Sequence, residues 1–173
     1  PATVTSIGNS AFEGCTGLTE LVLPEIVTTI AAEAFKGCTG LSGINLPKNI
    51  TNISTGMLMG CTGISKVIIP ENVTSISNEA FSGCTGITSI TFPKSLTTIG
   101  SEAFKNCTGL IGFEIPSGVT SLGDYVFNGC SGITSITIPK TLSSYGDDYS
   151  GSAFAGSRIT TVIIEDGTTM IPE

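Results

Sequence analysis

Six cysteines constrain this chain before any other feature does. Cys15, Cys38, Cys61, Cys84, Cys107 and Cys130 recur at a constant interval of 23 residues, each followed by Thr-Gly or, at Ser131 and Gly132, by Ser-Gly. Self-similarity at a period of about 20–50 residues marks a solenoid, in which each unit buries its apolar face only by stacking on its neighbours. Any fold proposed for the chain must therefore place chemically equivalent residues at equivalent positions of successive coils.

With the cysteines as a ruler, one unit runs from Ile76 to Thr98, and Ile99 begins the next. Residues 87–93, with counterparts starting at Leu18, Leu41, Ile64, Leu110, Ile133 and Ile159, are short and β-branched with apolar residues two apart at the end. Such a segment reads as one strand of a parallel sheet. Pro24, Pro47, Pro70, Pro93, Pro116 and Pro139 cannot donate to a ladder and mark where that strand stops. A second apolar pair, such as Val73 with Ile76 or Leu96 with Ile99, reads as a weak strand on another side of the coil.

The Ala-Phe pairs at positions 11–12, 34–35, 80–81, 103–104 and 153–154 set a small residue beside a large one. They predict a tight helical turn that packs the ring inward, so that stacking aligns the rings into a spine. Leu58 and the Val126-Phe127 pair are conservative departures. Gly14, Gly37, Gly60, Gly83 and Gly129 precede cysteines, and the replacement at this position is Asn106. Asparagine is among the non-glycine residues that best tolerate a left-handed backbone, so the position is expected to have positive φ and to end the turn as a C-cap.

The repeating pattern Ala-Phe-x-Gly-Cys-Thr-Gly-Leu/Ile-Thr-x-Ile-x-Ile-Pro resembles the BspA-like (Treponema pallidum type) leucine-rich repeat family over nearly the whole chain. The resemblance implies an α/β repeat fold, a leucine-rich repeat solenoid with a parallel β-sheet on one face and short helical turns or loops on the other. It also implies a cell-surface or secreted protein acting in adhesion to host cells, matrix proteins or neighbouring cells. The family has no fixed binding motif, so no site residue is implied. Residues 1–173 read as a single solenoid of about seven units. Pro1 to Val4 align with Pro24 to Val27, and the polar caps that solenoids use are not visible in the sequence, so a piece of a longer array is expected.

Composition narrows the function further. The apolar fraction of 40% supports a continuous core, while only 12% of residues are charged and the net charge is −7. The seven basic residues are scattered singly, so neither nucleic acid nor an anionic membrane is an expected partner. No apolar run reaches the roughly 18 residues that span a bilayer, and an embedded protein is not expected. The absence of His removes the commonest general base and metal imidazole. No nucleophile elbow, His-based triad or phosphate loop is found, so no catalytic residue, cofactor or metal is expected.

The cysteines lack Cys-x-x-Cys spacing and a histidine partner for zinc. In-register side chains of adjacent coils point in parallel about 4.8 Å apart, wider than the roughly 3.8 Å that a disulfide prefers between Cβ atoms. A ladder of buried free thiols is expected instead. Glu25, Lys48, Glu71 and Lys94 alternate in sign after their prolines, which predicts mutual support of register.

With Leu18, Leu21 and Leu23 facing inward, the outward residues of the strand face vary most from unit to unit. The candidate ligand-binding set is Glu20, Val22, Asn45, Lys66, Ile68, Thr91, Glu114, Thr137 and Ile163. The same variation also fits solvent-facing residues under no constraint. A second candidate is the irregular seventh unit, where nine steps instead of five separate Tyr145 from Phe154 and Asp147, Asp148 and Tyr149 occupy a bulging loop. These acids, with Glu165 and Asp166, lack the spacing of a calcium loop and read as solvated. Sequons at Asn49, Asn52, Asn72 and Asn106 matter only under secretion by a eukaryote.

The expected partners are host or neighbouring-cell surface proteins, matrix proteins or glycans. A structural spacer or end-to-end self-associating unit is the alternative.

Overall fold

The computed structural model of the chain describes residues 3–145 and 152–171. Among them are eleven short strands: β1 (Ser6–Ile7), β2 (Thr29–Ile30), β3 (Asn52–Ile53), β4 (Lys66–Ile68), β5 (Ser75–Ile76), β6 (Ser89–Thr91), β7 (Thr98–Ile99), β8 (Ser121–Leu122), β9 (Ser135–Ile138), β10 (Ser144–Tyr145) and β11 (Thr161–Ile164). All pairings are parallel, and the architecture is a parallel β-solenoid of about seven turns. Register follows the repeat: Ile76 lies opposite Ile99, and Ile99 opposite Leu122.

The second apolar pair of each unit forms the longer ladder. β10, β8, β7, β5 and β3 make one five-stranded sheet, and β1 pairs with β2 in the same column. In the column of the proline-terminated segments and their seventh-unit counterpart, the pairings among the described residues are β4 with β6 and β9 with β11. The seventh unit is absorbed without loss of stacking, because β11 pairs with β9 at an offset of 26 residues and Phe154 stacks on Phe127 with ring centroids 5.7 Å apart.

The helical turns expected at the Ala-Phe pairs do not form; the described residues contain no helix. The hydrogen bonds give the reason. In the turn around Phe81, the amide N–H groups of Ser82 and Cys84 donate three residues back, to Glu79 and Phe81. The intervening groups of Glu79, Phe81 and Gly83 donate instead to Ser101, Ala103 and Lys105 of the next coil, at 2.9, 2.9 and 2.7 Å. An α-helix needs every N–H for its own i−4 carbonyl. Here alternate groups are given to the neighbouring coil, so the turn is a third ladder between coils.

That alternation requires two left-handed residues per turn. The residue before each cysteine is one of them, with φ of 69–72° at Gly37, Gly60, Gly83 and Gly129 and 58° at Asn106. The expected positive φ is therefore present, but it closes a turn and caps no helix. The other left-handed position is occupied by Ser10, Glu33, Gly56, Glu79, Glu102 and Tyr125.

The core is a single column. Phe35, Phe81, Phe104 and Phe127 are fully buried. Rings stack at 5.5 Å between Phe12 and Phe35, 5.3 Å between Phe81 and Phe104, and 5.8 Å between Phe104 and Phe127. Leu58, paired with Met57 where most other units have alanine, fills the break in the aromatic column. Each such ring contributes about 1.5–3 kcal/mol by its burial.

Candidate binding surface

The inward residues of the proline-terminated segment are buried or packed against the core: Ile64, Val67 and Ile69 in one unit, Ile133, Ile136 and Ile138 in another, and Leu18, Leu21 and Leu23 at the margin. Alternation then directs the intervening residues outward. Glu20, Val22, Asn45, Lys66, Ile68, Thr91, Glu114 and Ile163 are exposed, and Thr137 is half-buried. Exposure reaches 80% at Val22, 59% at Ile68 and 53% at Ile163, high values for aliphatic side chains. Asp147, Asp148 and Tyr149 lie outside the described residues.

Two grooves open on this face. A larger one of about 1150 Å³ runs over the first three coils and is lined by Glu20, Val22, Asn45, Lys66 and Ile68 together with Ile44 and Leu46 on its floor. A smaller one of about 330 Å³ is bounded by Thr91, Phe92, Phe113 and Glu114. Five of the nine expected strand-face residues thus gather in one concavity and two in another. Thr137 and Ile163 border neither.

Both grooves coincide with breaks in the strand ladder. Residues 43–46 and 111–115 belong to no strand, and among the described residues their backbone groups take part in no backbone hydrogen bond. Each break holds the glycine that replaces a side-chain-bearing residue in mid-strand, Gly43 and Gly112. Glycine inside a strand weakens it by backbone entropy and by the lack of a side chain to pack. The sequence shows both glycines, whereas their effect on pairing depends on the neighbouring coils.

The charges on this face do not pair as the alternation of sign suggested. No ion pair joins Glu25, Lys48, Glu71 and Lys94 among the described residues. Glu25 accepts the backbone N–H of Lys48 at 3.4 Å, and the next residues along tie the coils together: the Asn49 amide donates to the Glu25 carbonyl at 2.9 Å and the Asn72 amide to that of Lys48 at 3.0 Å. The ion pairs present lie on the turns, where Lys36 bridges Glu13 at 3.2 Å and Glu33 at 3.0 Å, and Lys105 meets Glu102 at 2.9 Å.

The six thiols are free, five of them buried and Cys15 exposed. Each buried thiol donates to the carbonyl 26 residues earlier, as Cys61 does to Phe35 at 3.0 Å and Cys130 to Phe104 at 2.9 Å. Burial pushes the Cys61 thiol up to about 12 and that of Cys130 up to about 11, and raises Cys38, Cys84 and Cys107 as well. Such thiols are packing groups and poor nucleophiles. Among the described residues no group of three or more His, Cys, Asp or Glu is arranged to hold a metal ion, and no helix is long and apolar enough to cross a membrane.

A family model described as the BspA type leucine rich repeat region matches the chain in six copies, over residues 1–111 and 56–173. The chain belongs to the BspA-type leucine-rich repeat family. Its fold is similar to that of a leucine-rich repeat protein from Bacteroides ovatus, with a TM-score of 0.74 and 25% identity over 97% of this chain and 54% of that one. It is also similar to a leucine rich cell surface protein from Faecalibacterium prausnitzii, with a TM-score of 0.61 and 23% identity over 100% of this chain and 62% of that one. The T. pallidum leucine rich repeat protein gives a TM-score of 0.64 and 24% identity over 87% of this chain and 73% of its own length. The BspA-type chain thus spans little more than half of the first of these proteins. A comparison with curated protein sequences finds no match.

Proposed function

We propose that this BspA-type repeat array is a non-catalytic protein-binding module of a cell-surface or secreted protein, which engages surface proteins, matrix proteins or glycans of a host or neighbouring cell through its strand face. The observation that carries this reading is the gathering of the chain's most variable outward residues, including the exposed aliphatics Val22 and Ile68, around the larger groove. A concave surface with an apolar floor and a charged rim is the usual anatomy of a protein-recognition site. Few residues here are aromatic anchors, so affinity per contact is low and adhesion draws on many repeats at once. Surface location is supported by the likeness to the F. prausnitzii cell surface protein.

The test is a binding screen of immobilised matrix proteins, host-cell surface proteins and glycans against the wild-type chain and the variants Lys66→Glu, Ile68→Asp and Glu114→Lys. Binding that falls at least about tenfold in Ile68→Asp, a loss of about 1.4 kcal/mol, supports the strand face. Folded variants that bind as the wild type does place recognition elsewhere.

A second reading, a spacer or self-associating unit, is favoured by the exposed aliphatic side chains Val22, Ile68 and Ile111, which could meet a second copy of the chain. Sedimentation that stays monomeric across a wide concentration range excludes it.

A further inference from the structure

Six coils, counted from the segment at Leu18 to that at Ile133, keep one register. β4 pairs with β6 at an offset of 23 residues, and the hydroxyls of Ser42 and Thr88 donate to the Thr19 and Ser65 carbonyls over the same interval. Equivalent positions therefore lie in columns, about 4.8 Å from coil to coil. Residues 19–25 and their counterparts in the five following coils carry four carboxylates and four ammonium groups, a neutral face on a chain of net charge −7. Glu25, Glu71, Lys94 and Lys140 are exposed, and none of them enters an ion pair among the described residues. A face that gathers both signs without pairing them within the chain is laid out for a partner of matching pattern.

The pattern matches itself. A twofold axis parallel to the strands and passing between β4 and β6 sets the third coil against the fourth, the second against the fifth and the first against the sixth. Glu71 then faces Lys94, Glu25 faces Lys140 and Asn45 faces Glu114, each contact occurring twice. Glu20, Lys48 and Lys66 fall opposite Ser135, Ser117 and Ser89, so no like charges are opposed. Moving the axis half a coil in either direction destroys the match, because Lys48 then meets Lys140 or Lys94. The shapes agree with the charges. Gly43 and Gly112 lie opposite each other, and a Cβ on either would meet nothing within 4 Å. Ile68, 59% exposed, falls opposite Thr91 on the rim of the smaller groove, and Ile111, 71% exposed, opposite Ser42 on the rim of the larger one.

We infer that a second copy of the chain docks on this face, the two solenoids antiparallel about that axis, with Ile68 and Ile111 of each entering the grooves of the other. At ~3.3 Å per residue and ~4.8 Å per coil the face covers about 650 Å². Two copies then bury about 1,300 Å², the low end of specific interfaces, which suits a reversible dimer in about the micromolar range. The inference rests on the reading of the strand face as an interaction surface and names one occupant of it. Any other protein bound there competes with the second copy.

Sedimentation equilibrium of the full chain from about 1 μM to 1 mM, in about 0.15 M salt, reads the association. Glu25→Lys opposes two lysines across the interface and Lys140→Glu opposes two glutamates, so each variant alone is expected to dimerise at least about tenfold more weakly than the wild type. An equimolar mixture of the two variants restores opposite charges at both contacts and is expected to dimerise within about threefold of the wild type. Within one chain these positions are five coils apart, about 24 Å, so the rescue reports contact between copies. Ile68→Asp is expected to leave the chain monomeric over the whole range. A wild-type chain that stays monomeric at the highest concentration overturns the self-pairing, while a ligand from the binding screen that is weakened by Ile68→Asp leaves the strand-face reading standing. Dimers indifferent to Glu25→Lys, or a mixture no better than its components, overturn the antiparallel pairing in this register. Association and ligand binding that are both indifferent to Ile68→Asp overturn both readings.

Discussion

The thiol of Cys84 donates to the carbonyl oxygen of Leu58, 26 residues earlier, at 3.0 Å. The same oxygen accepts the backbone N–H of Cys61, also at 3.0 Å. One carbonyl therefore closes its own turn and holds the next coil. The arrangement repeats from Cys38 to Cys130, which explains why a small donor that is also apolar occupies this position in six units.

Replacing that donor removes the link without opening a large void. Cys84→Ala is expected to lower stability by about 1–2 kcal/mol, the sum of one hydrogen bond and a small loss of packing. Urea unfolding of the variant against the wild type measures it. The pH dependence has a definite sign, because burial raises these thiols above their ordinary value. Their contribution is intact below the unfolded-state pKa near 9 and is lost as pH climbs toward about 11 for Cys130 and about 12 for Cys61. In that window the unfolded chain ionises first, and each thiol adds a fall of about 1.4 kcal/mol per pH unit. Urea midpoints at pH 6, 7.5 and 10.5 should be flat over the first interval and drop over the second.

Leu58 and Met57 replace the Phe and Ala of other units and are both fully buried. Leu58→Phe alone overfills the site beside Met57 and is expected to cost about 1–3 kcal/mol. Adding Met57→Ala should recover most of that loss by restoring the repeat's own pairing and joining Phe35 to Phe81 through a continuous aromatic column. A double-mutant cycle in urea, with a coupling of about 1 kcal/mol or more, is the check.

The glycine of Cys-Thr-Gly is needed for close approach of coils: a Cβ on Gly63 would lie 2.6 Å from the Thr39 carbonyl oxygen and 2.8 Å from that of Leu41. Gly63→Ala is expected to lose about 1–3 kcal/mol. Gly43→Ala, with open space around its Cβ, is expected to be neutral or to gain about 0.4–1 kcal/mol through the unfolded state. Thermal melts of the two single variants should therefore move in opposite directions, or only the first should move.

Much of the coil was legible from the cysteine period, because residues that meet their own equivalents in the next coil repeat their chemistry. The Phe column, the inward aliphatics, the buried thiols and the left-handed residue before each cysteine all follow from it. The turn at Phe81 was not legible, since its non-helical form depends on N–H groups given to a neighbouring coil, and Ala-Phe is compatible with either state. Glu33, Glu79 and Glu102 stand in left-handed backbone with no residue-type signal to announce it. β5 and β7, two residues long, are too short for a period of two to show, although they belong to the longest ladder. Of the binding face, outward exposure was readable from alternation; the breaks beside Gly43 and Gly112 needed the hydrogen-bond pattern.

The openness of the strand face at those two glycines is tested most directly by residue-resolved amide hydrogen exchange of the chain alone. Slow exchange is predicted at Ser77, Phe81, Gly100 and Phe104, whose N–H groups bond to neighbouring coils at 2.8–3.0 Å, and fast exchange at residues 43–46 and 111–115. Equal protection of residues 43–46 and of β4 and β6 would contradict it, because the strand ladder would then run unbroken past Gly43.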